Sequence, residues 1–284
     1  MKVVTVATDL DNFNLKNLLI PSCNFFGYEL IILNLLSTWD SHRMKDLALI
    51  AYLETLKEDE IILFTDAYDT FLLNTPESSL KKWSKYKDSL LFSAEANCWP
   101  EQEFASAYNQ INHHGKFRFL NSGGYIGSVS TILKLLKTFK TPPSWILRSK
   151  YDFSTRFIEN CDKRYSWSNQ YYWSLIFLSQ ENSIVLDKNS ELFKCFGTPV
   201  AYFRKHRKDY LNNGIHSGIY QKELGRIKIE LDSLDESTIG HVHFNNPILK
   251  HVFQTLFEEG LFPNWIINVL SKRVVGQPQI IEID

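Results

Sequence analysis

The sequence has no C-x-x-C pair, no G-x-x-x-x-G-K-[ST] loop, no Asn-x-Ser/Thr sequon and no apolar run that approaches the length of a membrane span. Each absence removes a class of function. Without C-x-x-C spacing, Cys23, Cys98, Cys161 and Cys195 form neither a zinc ribbon nor a dithiol redox centre, and they are read as reduced and mostly buried. Without the phosphate loop, nucleotide binding of the ATPase type is excluded. Charge of one sign is also missing: 31 Lys and Arg meet 32 Asp and Glu, which leaves no field to recruit nucleic acid. Met1-Lys2 runs directly into Val3-Val4-Thr5-Val6-Ala7, a stretch too short for a signal-peptide core and better suited to a first strand. With no sequon and no membrane segment, the expectation is a cytoplasmic protein. No repeat, low-complexity linker, heptad or composition shift divides the chain. Residues 1–284 are therefore expected to form one domain, with a patternless tail beyond about Lys272.

Aromatic residues are plentiful, at 14% of the chain, which suits either a sugar- or base-stacking site or an aromatic core. Strand-like and helix-like segments alternate along the sequence. The pattern predicts strands at Val3–Thr8, Glu29–Leu33, Glu60–Phe64, Ser89–Ala94, Ser183–Leu186 and, more weakly, Ile227–Leu231, while Arg118–Ser128 follows a polar loop and precedes a helix. Helices are predicted over Leu15–Phe25, Lys45–Leu56, Pro76–Lys85, Ser130–Phe139, Asn169–Leu178 and Ile248–Glu258. Such alternation predicts an α/β chain with a mainly parallel central sheet.

Chemistry concentrates in a few places. Ile61-Ile62-Leu63-Phe64 is a short buried strand that runs into Asp66 and Asp69. Parallel sheets place ligands at the carboxyl ends of their strands, and two hard oxygen donors there can hold Mn²⁺ or Mg²⁺ against a diphosphate. Read alone, the same pair also suits a capped turn and a solvated loop. Asn121-Ser122-Gly123-Gly124 offers side-chain hydrogen-bonding groups, and its two glycines allow a close backbone approach to a ligand. His241-Val242-His243 sets two imidazoles on one face of a strand, either as satisfied structural residues or as the completion of a carboxylate site. Asn246-Pro247 then opens a helix whose first amides can meet phosphate oxygens. Glu95 and Trp99 lie after another strand end, where Trp99 covers a sugar face or packs under a loop.

These pieces, in this order, resemble the glycosyltransferase domain of the multifunctional procollagen lysyl hydroxylases. The resemblance runs from Val3 to about Trp265. It rests on Val4-Thr5-Val6-Ala7-Thr8, Phe64-Thr65-Asp66-Ala67-Tyr68-Asp69, Leu91-Phe92-Ser93-Ala94-Glu95 with Cys98-Trp99-Pro100-Glu101, the block Arg118–Gly127, Leu186-Asp187, and His243 with Asn245 and Pro247. It implies a GT-A fold that uses a UDP-sugar and Mn²⁺. By position, Asp66, Asp69 and His243 correspond to the metal ligands. Val6, Ala7, Thr8, Lys45, Asp66, Ala67 and Tyr68 correspond to the nucleotide pocket, and Asn246, Pro247 and Lys250 to the phosphate side. Glu95, Trp99, Asn121 and Asn169 correspond to the sugar and acceptor side, where catalysis is expected. The implied reaction moves glucose from UDP-glucose to galactosyl-hydroxylysine of a collagen-like polypeptide, with retention at the anomeric carbon. A homodimer is compatible with the resemblance.

Two departures stand out. The family carries consecutive aspartates before a glutamine, and this chain has Ser168-Asn169-Gln170. A carboxylate at 169 is expected to stabilise an oxocarbenium-like charge better than the amide does. The family's H-G-N-G-P-x-K is here His243-Phe244-Asn245-Asn246-Pro247-Ile248-Leu249-Lys250, with the lysine one place later. The alternatives are transfer of galactose or another sugar to hydroxylysine or to a non-collagen glycan, a nucleotide- or glycan-binding pseudoenzyme, and a structural α/β domain that supports a partner hydroxylase.

Overall fold

The structure is a computed structural model. It describes residues 1–37, 39–86, 89–111, 114–138, 165, 167–179, 183–234, 239–272 and 276–283. Cys161, read above as reduced, and Phe139 at the end of a predicted helix lie outside them. In chain order the elements are β1 (Lys2–Ala7), α1 (Ile20–Phe26), β2 (Glu29–Leu35), α2 (Met44–Leu53), β3 (Ile61–Thr65), β4 (Thr70–Leu72), α3 (Pro76–Trp83), β5 (Leu90–Glu95), α4 (Phe104–Gln110), β6 (Phe119–Ser128), α5 (Val129–Thr138), α6 (Asn169–Leu178), β7 (Ile184–Asp187), β8 (Phe193–Phe196), α7 (Val200–Asn213), α8 (Gly218–Asp232), β9 (His241–Phe244), α9 (Pro247–Glu258), α10 (Asn264–Ser271) and β10 (Gln279–Ile283).

Seven strands form one sheet in the order β10-β2-β1-β3-β6-β5-β7, and β4-β9-β8 form a second. In the large sheet only β6 runs against its neighbours β3 and β5, so the expected mainly parallel α/β arrangement holds. Alternation along the strands feeds two cores. Val4, Val6, Ile31, Leu33, Ile62, Phe64 and Phe92 face α2, α5 and α6, while Val3, Ile32, Leu63, Leu91 and Ile126 face the α1 side. A third core joins Phe71, Val242 and Phe244 of the small sheet to α8, α9 and α10.

The register of β6 positions the site. It pairs with β5 at Phe92↔Tyr125 and then Ser93↔Asn121, so Ser122, Gly123 and Gly124 bulge away from β5. The same stretch stays tied to β3, through Thr65↔Gly124 and an Asp66 N–H that donates to Gly123 O at 3.0 Å. β9 pairs with β4 at Thr70↔His243, and the Phe244 N–H donates to Asp69 O at 2.9 Å. The chain around residue 243 is thus sewn to the loop that follows β3.

Several elements differ from the sequence expectation. Ile227–Leu231 is not a strand but the end of α8, capped by Ser217, whose hydroxyl accepts the Tyr220 N–H. The five-residue window alternates, yet Ile219, Glu223, Ile227 and Leu231 are buried four apart, which is a helical face. The tail is not patternless: Gln279–Ile283 adds to the sheet edge beside β2. The short strands β4 and β8 and the helices α4, α7 and α10 were not predicted. No helix among the described residues is long and apolar enough to cross a membrane.

Candidate metal and nucleotide-sugar site

Asp66 and Asp69 follow β3, and β9 delivers His243 between them. One ligand atom from each lies within 4.8 Å of the others. His243 Nε2 stands 3.6 Å from Asp69 Oδ2 and 3.9 Å from Asp66 Oδ2. The tautomer follows from the surrounding hydrogen bonds. Asn121 Nδ2 donates to Glu95 Oε1 at 2.9 Å, which fixes that amide with its carbonyl toward Gly123 and His243. Asn121 Oδ1 accepts from the Gly123 N–H at 3.0 Å and from His243 Nδ1 at 2.9 Å. With the proton on Nδ1, the Nε2 lone pair is presented to the carboxylates, and that buried atom has no hydrogen-bond partner among the described residues. An orphaned imidazole nitrogen, oriented by a second residue and facing two carboxylates, fits a divalent cation. Burial alone would push the Asp69 carboxyl up, but neighbouring positive charge, Lys250 foremost, outweighs it and holds it below the usual range.

The glycine pair serves these histidines. A Cβ on Gly123 would lie 2.3 Å from His243 Cε1, and one on Gly124 would lie 2.8 Å from His241 Cε1. The room expected for a ligand is taken by the two rings. His241 itself is not part of the carboxylate cluster; its Nε2 meets Thr65 Oγ1 at 2.8 Å, behind the site.

Three cavities adjoin. The inner one, about 310 Å³, is lined by Val6, Thr8, Trp39, His42, Ala67 and Tyr68, with Lys45, Asp66, Asp69 and Lys250 at its boundary. The central cleft, about 370 Å³, shares that boundary and adds Asn121, His243, Asn169, Gln170 and Trp99. A side pocket, about 320 Å³, is joined to the cleft by a wall of Trp99, Asn245, Asn246 and Pro247, and reaches Glu95. Lys45 ion-pairs with Asp66, and Lys250 Nζ is 3.0 Å from Asp69 Oδ2. Ala7 is the exception among the nucleotide-side residues, because its side chain is buried in the core. Asn246 caps α9, accepting the Leu249 N–H at 2.9 Å, with Pro247 at the first helical position.

Glu95 is buried and accepts from three amides: Asn121, Gln170 Nε2 at 2.6 Å and Asn245 Nδ2 at 3.2 Å. Burial raises its pKa, and the hydrogen bonds from Asn121, Gln170 and Asn245 pull it back. Trp99 is half-exposed at 41%, so it is a cleft wall rather than a core aromatic. Asn169 lines the cleft, but its Nδ2 donates to Asp46 Oδ1 at 2.5 Å.

Asp46 was missed by the sequence reading. It is a buried carboxylate in the first turn of α2, 3.4 Å from Arg43 Nε, and desolvation pushes it up to about 6 against the opposing charges of Arg43 and Lys45. Arg43 is fully enclosed as well, its guanidinium 3.2 Å from the Tyr172 ring centroid. Nothing in the local pattern of a charged helix start marks it as buried. The position of the family aspartate therefore already has a carboxylate one hydrogen bond behind it. Asn169→Asp is expected to bring two carboxylates together and to cost about 2 kcal/mol of stability at pH 7.5. One of the pair then has a folded pKa above its unfolded value. The cost is present above that pKa and fades as pH falls through it, so denaturant midpoints of variant and parent should converge toward pH 4. A gap independent of pH would mean the carboxylates do not meet.

Residues 1–143 match the family described as PLOD GT domain, which is half of the 284-residue chain. The chain belongs to the PLOD GT domain family. The matched span contains β1, β3, β5 and β6, hence Asp66, Asp69, Glu95 and Asn121, while His243 comes from outside it. Among curated proteins, this PLOD GT domain chain is 46% identical over 84 residues to multifunctional procollagen lysine hydroxylase and glycosyltransferase LH3 of Homo sapiens, covering 30% of the chain and 11% of the relative. It is 32% identical over 145 residues to procollagen-lysine,2-oxoglutarate 5-dioxygenase of Drosophila melanogaster, covering 48% and 20%. The match thus spans about a ninth to a fifth of these relatives' length. Solved structures similar to it include a glycosyltransferase involved in glycosylation of the major capsid of PBCV-1 (TM-score 0.45, 12% identity, 89% of this chain and 98% of that one). Mouse xyloside xylosyltransferase 1 is another (TM-score 0.45, 11% identity, 76% and 92%).

Proposed function

We propose that this chain is a Mn²⁺-dependent, retaining GT-A-type glycosyltransferase. Its donor is a UDP-sugar, UDP-glucose first, and its acceptor is galactosyl-hydroxylysine or hydroxylysine in a collagen-like polypeptide. The observation that carries the reading is the Asp66, Asp69 and His243 set, with the His243 Nε2 lone pair fixed toward both carboxylates by Asn121. The family and the names of the curated relatives support the sugar-transfer chemistry and the collagen-lysine context.

In this reading Asp66, Asp69 and His243 hold the cation. When bound, it neutralises the diphosphate and makes it a better leaving group. The inner cavity takes the nucleoside, with Tyr68 and Trp39 as flat walls. Lys45 and Lys250 stand at the boundary between the inner cavity and the cleft, where their charges meet phosphate oxygens, and the first turn of α9 adds amides there. The sugar lies in the cleft among Asn121, Asn169 and Trp99. Glu95 positions three of the amides around it.

A donor panel tests this. UDP release should require Mn²⁺, stop with chelator and be fastest with UDP-glucose among UDP-glucose, UDP-galactose and UDP-GlcNAc. A hydroxylysine collagen peptide, bare or galactosylated, should gain the mass of one hexose. Turnover insensitive to chelator would overturn the metal role. UDP release without any peptide gaining mass would overturn the acceptor.

A further inference from the structure

The side pocket lies outside the machinery just described. Asp66, Asp69 and His243 are absent from its lining, whereas Phe203, Arg204 and Arg207 of α7 line the side pocket and neither the cleft nor the inner cavity. Trp99, Asn245, Asn246 and Pro247 form the wall between the two, so a chain resting in the side pocket lies beside the sugar position.

α7 is unusual in composition. It buries none of its residues, and Arg204-Lys205-His206-Arg207-Lys208 makes it strongly cationic in a chain whose net charge is −1. Arg204 and Arg207, three apart, share one face. Both are exposed, and among the described residues neither guanidinium has an ion-pair or hydrogen-bond partner. Arg226 of the adjacent α8 contrasts with them, because it is spent on Glu223 and Glu230. Two unspent guanidiniums at a pocket rim, beside the aromatic faces of Trp99 and Phe203, form a receptor for a carboxylate carried on an apolar stem. Glu95 also lines the pocket, but it is buried and already engaged by three amides.

We propose that the side pocket is an acceptor-peptide subsite, in which Arg204 and Arg207 select a polypeptide bearing an Asp or Glu side chain next to the modified residue. The proposal rests on the glycosyltransferase reading, and the test separates the two.

The test uses two hydroxylysine peptides that differ only in a Glu or Gln beside the hydroxylysine, against wild type and the R204Q/R207Q variant. Three quantities are read: peptide affinity by calorimetry in the presence of UDP, KM and kcat for transfer, and UDP release without peptide. The Glu peptide should bind wild type about tenfold tighter and show about tenfold lower KM. The variant should lose that preference with unchanged UDP release and unchanged thermal midpoint, since both side chains are exposed. Equal affinity of wild type for the two peptides, no binding of either, or a preference that survives in the variant overturns the subsite. If UDP is never released, the enzymatic reading falls. The calorimetric difference between Glu and Gln peptides then still decides the subsite.

Discussion

Asp69→Asn should lower UDP-sugar turnover by at least about a thousandfold, because several kcal/mol of leaving-group stabilisation depend on the cation it helps to hold. The effect should be larger than a simple loss of one ligand. Asp69 is also the partner of Lys250 and lies 3.6 Å from His243 Nε2, so its charge fixes two further groups. The cation-free protein should lose only part of its stability, the part carried by the pairing with Lys250 that holds the carboxyl low. Lys250 keeps partial solvent access, and the Asp69 backbone contact that docks β9 does not involve the side chain. Calorimetric titration with Mn²⁺, alongside turnover and the thermal midpoint with chelator present, separates these effects. Turnover near the parent's with Mn²⁺ affinity unchanged would remove Asp69 from the site.

Gly123→Ala should be almost as damaging, for a steric reason. The added methyl would meet three atoms of the His243 ring, Cε1, Nδ1 and Nε2, at 2.3, 2.7 and 2.8 Å. A ring struck along a whole edge cannot yield by turning one atom aside, and this ring is buried. Either the imidazole leaves its place between Asn121 and the carboxylates, or β9 shifts. Both outcomes lose cation affinity, and overpacking of this kind costs about 1–3 kcal/mol of stability. Gly225→Ala is the matching control. It lies within α8, a Cβ there meets nothing within 4 Å, and the change should stabilise the protein by about 0.5–1 kcal/mol. If Gly123→Ala binds Mn²⁺ as the parent does, the packing account of this glycine is wrong.

Much of this was legible in the sequence, and what was not has physical reasons. The strand before Asp66 announced itself by four consecutive apolar residues. The helix at Asn169–Leu178 came out at its observed bounds, and the structure shows Ser168 capping it by accepting the Tyr171 N–H. The three proposed metal ligands were named from ordered motifs, and the structure brings them together. The small strands β4 and β8 had no local signal, because three- and four-residue strands are decided by their partners. β10 likewise exists through β2. Asp46 and Arg43 were invisible because helix periodicity says nothing about a charged pair turned inward. The glycine pair was noticed, but what it accommodates lies more than a hundred residues away in β9.

That distance has a thermodynamic side. Asp66 follows β3 of the large sheet, while Asp69 leads into β4 and His243 lies on β9 of the small sheet, whose core is shared with α8, α9 and α10. A cation held by all three, as proposed, would be a clasp between the two sheets, and its binding energy would add to whatever already keeps them joined. The midpoint of unfolding then becomes a reading of free cation concentration, with about 2.7 kcal/mol gained at a hundredfold excess over Kd. On the proposed reading, the same ion that helps a diphosphate to leave would thereby report, through the endurance of the fold, how much of itself the surroundings supply.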